Sequence, residues 1–162
     1  MVFGFNMNPL AQLERLVSEV RHRGALMDDV AEEAAAILTA VPGYPGLFGV
    51  LVKRHAFVAF DVGGIRVYGN IQGEEDSLED LLADKILTGD LVEAGFLPFG
   101  RPTTGSYDRI CFDVRERQPS EEAPVVLMDH ESILTYNRIP DPKRLAHTLM
   151  DLFETDGEVS KS

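Results

Sequence analysis

Cysteine, tryptophan and long apolar runs are scarce or absent in this sequence, and each absence excludes a class of protein. Cys111 is the single cysteine among 162 residues, so the chain has neither an internal disulfide nor a thiolate-based structural zinc site. A reducing compartment is the natural setting for such a chain. No apolar run reaches the roughly 18 residues that a membrane helix needs, and the N-terminus lacks the pattern of a signal peptide. We therefore expect a cytoplasmic protein with no membrane partner.

Basic residues are scarce as well, since 15 lysines and arginines stand against 27 aspartates and glutamates, for a net charge of -12. A molecule of this charge repels phosphate at long range, so a nucleic-acid-binding protein would need a local basic cluster to overcome the repulsion. The longest basic groupings, 21–23 and 53–55, are short and typical of helix ends. The sequence shows no stronger basic cluster, and we expect no nucleic-acid partner.

Apolar residues at helical spacing predict helices near both ends of the chain. The first spans 9–23, where Asn8 and Pro9 have the residue types of an N-cap and a first helical position. The second spans 28–41 and stops before a Pro-Gly pair. A last helix opens at an Asp-Pro pair and covers 141–153 with one apolar stripe.

Short strand-like runs fill the middle of the chain. They are 57–60, 65–68, 96–99, 109–114 and 124–128, with a further candidate at 133–136. Gly63 and Gly64 lie between the first two runs and supply the positive φ of a tight turn. A capped helical turn is predicted at 77–82, a hairpin loop at 100–105, and 45–54 fits a short helix or a strand equally well.

The order of these elements predicts the fold class. Helices at both ends that enclose consecutive short strands indicate an α+β domain with a largely antiparallel sheet of five to six strands. The composition, 44% hydrophobic and 26% charged, is that of a globular domain. We place a single domain at 1–154 and expect the polar, uncapped residues 155–162 to form a disordered tail.

The string Asp129-His130-Glu131 is the most catalytic-looking part of the sequence, because it follows a strand whose end feeds a loop. Consecutive residues on a strand alternate faces, so the three side chains cannot converge on one metal unless the strand has already ended. Structural hydrogen bonds are the preferred interpretation. Cys111 lies inside an alternating strand, where an inert buried thiol is expected. We assign no catalytic residue, no metal ligand and no cofactor.

The segment 74–93 concentrates carboxylates around a single cation, Lys85. A solvated face that keeps the protein soluble is the preferred explanation of such a run. The functional alternative is a steering surface, because clustered charge speeds association with a basic partner. The candidate partner-binding residues are Glu74, Glu75, Asp76, Glu79, Asp80 and Asp84.

Residues 95–131, GFLPFGRPTTGSYDRICFDVRERQPSEEAPVVLMDHE, resemble the central signature of the SUKH superfamily, the group related to the yeast cell-wall-synthesis regulators Smi and Knr. The matching parts are Leu-Pro-Phe-Gly at 97–100, the run 105–113 that ends in Cys-Phe-Asp, and the Pro-Val-Val strand followed by Asp-His-Glu. Upstream, the likeness favours a helix at 45–54. The helix at 9–23 has no counterpart among the family motifs.

The resemblance implies an α+β fold without a known catalytic centre. In bacteria such domains serve largely as immunity proteins that neutralise toxins, commonly nucleases or other nucleic-acid-modifying effectors. We therefore expect a non-catalytic protein-binding domain whose acidic character attracts a basic toxin or effector. The alternatives are a regulatory or scaffolding adaptor without a toxin partner, bound through exposed apolar residues, and a metal-dependent enzyme that uses Asp113, Asp129, His130 and Glu131.

Overall fold

The computed structural model describes residues 9–27, 43–71, 73–86, 88–115, 117 and 121–154. The helix predicted at 28–41, the N-cap predicted at Asn8 and the tail predicted at 155–162 lie outside these residues. Within the described ranges, no helix combines the length and the apolar character that a membrane crossing requires.

Helices surround a single sheet in this part of the chain. The helices are α1 (Pro9–His22), α2 (Gly46–Arg54), α3 (Leu78–Ala83), α4 (Thr88–Ala94), α5 (His130–Leu134) and α6 (149–154). The strands are β1 (Phe60–Val62), β2 (Ile65–Val67), β3 (Phe96–Pro102), β4 (Arg109–Asp113), β5 (Val125–Met128) and β6 (Lys143–Ala146). The six strands pair antiparallel in chain order, which confirms the predicted α+β class with a largely antiparallel sheet.

Alternation along β4 divides the apolar core into two parts. Ile110 and Phe112 belong to the larger cluster, which includes buried residues of α1, α2, α3 and α6. Cys111 belongs to the smaller cluster, which includes buried residues of α4 and α5. The central strand therefore packs apolar side chains on both of its faces, because successive side chains point to opposite sides of a sheet.

The helix at 45–54 and the tight turn at Gly63 and Gly64 are confirmed, but the first strand of the hairpin is displaced. It covers Phe60–Val62 instead of 57–60, and Phe57 forms an isolated bridge with Leu26. Gly63 and Gly64 adopt φ values of 56° and 77° and join β1 to β2. The segment after Pro45 forms α2 and buries Phe48, which contacts Phe57 and Phe99 in the core. The helical reading, which the family resemblance favoured, is therefore correct.

Two predictions near the C-terminus are wrong. The strand expected at 133–136 is the end of α5 and the turn after it, because Asp129 caps a helix and Ile133 is buried on its inner side. The helix expected at 141–153 begins only at residue 149, since β6 pairs with β5 first. That pairing places Leu145 on an exposed edge strand instead of the predicted helical stripe.

A buried asparagine connects α2 to the sheet. The Asn70 side chain donates to the carbonyls of Val52 at 3.1 Å and His55 at 2.7 Å, and accepts the N–H of Phe57 at 3.0 Å. One amide thus provides hydrogen-bond partners for three backbone groups, one in the last turn of α2 and two in the loop that follows it.

Candidate functional site

The acidic segment 73–84 is held against the sheet by α3. Ser77 caps this helix, and its hydroxyl accepts the N–H of Asp80 at 3.2 Å. Leu78 and Leu81 are buried on the inner side. Because the apolar residues occupy the inner side, the remaining carboxylates of the helix lie on its outer side.

Asp76 lies between two arginines that oppose each other across the sheet. Arg66 on β2 and Arg101 on β3 are cross-strand partners, a like-charge pairing that is unfavourable by itself. One carboxylate oxygen of Asp76 accepts from both guanidinium groups at 3.3 Å, and Arg66 also pairs with Asp61 at 2.8 Å. Asp76 is therefore a structural counter-ion within the fold.

Asp84 neutralises a buried arginine at the start of β4. Its carboxylate accepts from Arg109 at 2.9 Å, and Arg109 also donates to the carbonyl of Tyr107 at 2.9 Å. Only 10% of the Arg109 side chain is exposed, and its buried Nε has no hydrogen-bond partner. A cavity of about 180 Å³ opens here, lined by Tyr68, Asp76, Asp80, Leu81, Asp84 and Arg109.

The other predicted residues face solvent to a greater extent. Glu74, Glu75 and Asp80 are exposed, and their carboxylates make no ion pair within the described ranges. Glu79 is partly buried. Two of the six predicted residues, Asp76 and Asp84, are thus inner members that bind arginines. Glu74, Glu75 and Asp80 are the exposed outer members.

The fold adds a second acidic group that sequence reasoning did not join to the first. Arg109 pairs with Met128 in the β4–β5 register, so residue 108 lies beside residues 129–131. Asp108 and Asp129 are therefore close together, and Glu131 follows at the exposed start of α5. Pairing the predicted strands at 109–114 and 124–128 as a hairpin would have predicted this group from the sequence.

Asp108 and His130 form the closest contact in this second group. One oxygen of Asp108 lies 2.6 Å from His130 Nδ1 and also accepts the backbone N–H of His130 at 3.0 Å. Burial raises the pKa of Asp108, but these hydrogen bonds and the His130 charge outweigh it and hold the pKa below its usual range. The pair fixes the first turn of α5 to the end of β4.

A metal could in principle be held by Asp108, Asp129 and His130, whose ligand atoms lie within 4.8 Å of one another. Their present contacts are those of a helix start, however. Asp129 caps α5 by accepting the N–H of Glu131 at 3.3 Å and the Ser132 hydroxyl at 3.0 Å. A cation would compete with these donors at the positive end of a helix, so the geometry favours the structural role.

Cys111 is fully buried in the middle of β4, as its alternating strand predicted. Burial raises the pKa of its thiol, which keeps the group protonated and unreactive at neutral pH. The arrangement therefore gives Cys111 a packing role.

Comparison with family models, curated proteins and solved structures finds no match to this chain. The surfaces of the described residues therefore carry the indications of function. The clearest of these surfaces is the acidic end. We define it as the six predicted residues between 74 and 84 (Glu74, Glu75, Asp76, Glu79, Asp80 and Asp84) together with Asp108, Asp129 and Glu131.

Proposed function

We propose that this chain is a non-catalytic, cytoplasmic protein-binding domain of the SUKH type, which binds and neutralises a basic toxin or effector through its acidic end. The observation that carries the proposal is the two-layer arrangement of carboxylates. Asp76 and Asp84 are fixed by arginines, while Glu74, Glu75 and Asp80 remain exposed outside them.

Such an arrangement supports electrostatic capture. The inner ion pairs hold the segment 73–84 in one position, so its outer carboxylates need little further ordering when a partner arrives. Clustered charge raises the association rate with a cationic partner. A protein that acts on nucleic acid presents a basic surface to phosphates, and an acidic domain seated on that surface blocks access.

Tyr107 supplies an aromatic side chain within the acidic end. It is 70% exposed, and its ring meets the His130 ring edge-on at a centroid distance of 5.8 Å. Tyrosine is enriched among the residues that dominate binding energy at interfaces. We infer that Tyr107 provides apolar contact beside Asp108 and His130 in the acidic end.

The test is charge reversal at the exposed carboxylates, after the partner has been captured from native lysate with the tagged protein and identified by mass spectrometry. We expect Glu74→Lys, Glu75→Lys and Asp80→Lys together to slow association by about tenfold or more at low salt and to flatten its salt dependence. Stopped-flow kinetics across a salt series provides the readout.

The matched control reverses exposed carboxylates elsewhere, Asp90→Lys, Glu93→Lys and Asp141→Lys, and so changes the net charge equally. This variant should retain most of the association rate. Equal slowing in both variants would mean that only net charge matters, and unchanged kinetics in the first variant would remove the acidic end from the interface.

The adaptor alternative has its own observation. Leu134 is 52% exposed and Tyr136 is 66% exposed, at the end of α5 and directly after it. An adaptor bound through these residues would show little salt dependence and would lose affinity in Leu134→Ser and Tyr136→Ser. The charge-reversed variant would bind it normally.

A further inference from the structure

Three arginines converge at the end of β4 opposite to Arg109. Arg115 and Arg117 follow β4, whereas Arg144 lies on the edge strand β6. With Asp113 and Pro124 they line a cavity of about 280 Å³. The sequence predicted no basic cluster beyond short groupings at helix ends; this one exists because the β4–β5–β6 meander joins distant segments.

Among the described residues, the charged side chains that line this cavity are three arginines and one aspartate. Asp113 accepts from Arg115 through both carboxylate oxygens, at 2.9 and 2.8 Å, and the guanidinium of Arg115 lies 4.7 Å from the centre of the Phe96 ring. Arg115 and Asp113 therefore neutralise each other in a fixed geometry. No other described carboxylate lines the cavity, so Arg117 and Arg144 leave it with excess positive charge.

The side-chain hydrogen bond that Arg144 makes within the described ranges is to a histidine and not to a carboxylate. The guanidinium of Arg144 lies 3.3 Å from Nδ1 of His147, and this contact supplies no negative charge to it. Hydrogen bonds from Arg115 lower the pKa of Asp113, and the charge of Arg144 lowers it further. Arg144 therefore acts electrostatically on Asp113, which lines the cavity with it.

We propose that this cavity binds a small phosphate-bearing molecule. Two guanidinium groups present planar forks that match phosphate oxygens. Their two positive charges match a phosphate dianion better than they match a singly charged carboxylate ligand. The volume is near the lower limit of ligand pockets, about 300 Å³, which suits a small phosphate ester. In a molecule with a net charge of -12, such a positive cavity gives an anion a defined place to bind. The proposal is independent of the acidic end.

Isothermal titration calorimetry at neutral pH and low ionic strength tests it, with inorganic phosphate and glycerol phosphate as probes. We expect saturable binding at one site. Arg117→Ala and Arg144→Ala should each weaken it roughly tenfold, because each removes charge-assisted hydrogen bonds. The control Arg138→Ala, an exposed arginine beside Tyr136, should bind as the unmodified chain does.

Nuclear magnetic resonance of backbone amides locates the site, with shifts expected at 113–117 and 143–147. Circular dichroism establishes that each variant is folded before binding is compared. Lack of saturable binding, or equal weakening in all three variants, would overturn the site. Acetate binding as tightly as phosphate would overturn the phosphate assignment, and tighter binding of a single-stranded oligonucleotide would overturn the small-molecule assignment.

Discussion

At the scale of single residues, Asp108 shows how a chemically suggestive group can have a structural role. Its carboxylate meets both the ring and the backbone N–H of His130, and the adjacent Asp129 caps the same helix. A carboxylate that orients an imidazole also occurs in catalytic sites, where the imidazole serves as a base. Here, both carboxylates bind the backbone at the first turn of α5, so we assign them to folding.

Asp108→Asn tests this assignment through pH. The folded-state pKa of Asp108 is lowered, so its contribution to stability is present above the unfolded value of about 3.8 and is lost as pH falls through the folded value. The asparagine variant should be less stable by about 0.5–1 kcal/mol at neutral pH, and the difference should shrink below about pH 4. Urea denaturation across a pH series measures it.

Asp141→Asn serves as the control, because Asp141 is exposed and forms no ion pair with another described residue. It should leave the pH profile unchanged. A stability difference for Asp108→Asn that stays constant from neutral to acid pH would contradict the ion-pair role.

Local sequence patterns predict the roles of some residues of the site, but they do not predict the ion-pair partners of others. Ser77 has the residue type of an N-cap, and the alternation around Cys111 predicts burial, so local pattern sufficed for both. The pairing of Asp76 with Arg66 and Arg101 depends on the register of β2 and β3. A single sequence gives no direct measure of that register, because it is set by contacts between distant segments.

At the scale of elements, the helical spacing of apolar residues predicts α1, and the turn glycines predict the β1–β2 hairpin. Neither signal predicts α4 or α5. Both of the latter are short, seven and five residues, and bury few side chains. A helix of one or two turns shows too little periodicity to be separated from a strand. Tertiary contacts define them, as where the hydroxyl of Thr88 donates to the carbonyl of Leu81 at 2.7 Å.

Gly49 and Gly89 test how packing outweighs helix propensity. Both lie in helices, where alanine is favoured over glycine by about 0.8–1.0 kcal/mol. A Cβ on Gly49 would overlap the backbone carbonyl of Tyr44, whereas a Cβ on Gly89 would meet nothing within 4 Å. We expect Gly49→Ala to destabilise the protein by about 2 kcal/mol or more and Gly89→Ala to stabilise it by up to about 1 kcal/mol.

Urea denaturation of the two variants beside the unmodified chain gives both free energies of unfolding. The opposite signs make each variant the control of the other. Stabilisation by Gly49→Ala would show that α2 moves away from Tyr44 at little cost, and the close packing there would then be incidental.

At the scale of the whole molecule, net charge conceals an uneven distribution. The acidic end lies at the start of β4, beside Arg109, and the arginine-lined cavity lies at its other end, beside Asp113. Arg109 and Asp113 are four residue steps apart along the strand, a distance of about 13 Å. This exceeds the Debye length of about 8 Å at physiological ionic strength, so the two surfaces act as separate electrostatic sites.

The distribution predicts that removing negative charge has opposite effects in the two layers of the acidic end. Glu74→Gln, Glu75→Gln and Asp80→Asn together should raise the melting temperature at low salt, because these exposed carboxylates repel the rest of an acidic molecule. The gain should fade as salt screens the repulsion.

Asp76→Asn also removes a negative charge, but it leaves Arg66 and Arg101 facing each other without their shared carboxylate. We expect it to destabilise the protein by about 1–3 kcal/mol and to lower the melting temperature at every salt concentration. Thermal denaturation followed by circular dichroism, at low and at physiological salt, compares the two variants. If Asp76→Asn raised the melting temperature as the triple variant does, Asp76 would belong with the exposed carboxylates and the inner layer of the acidic end would have no structural role.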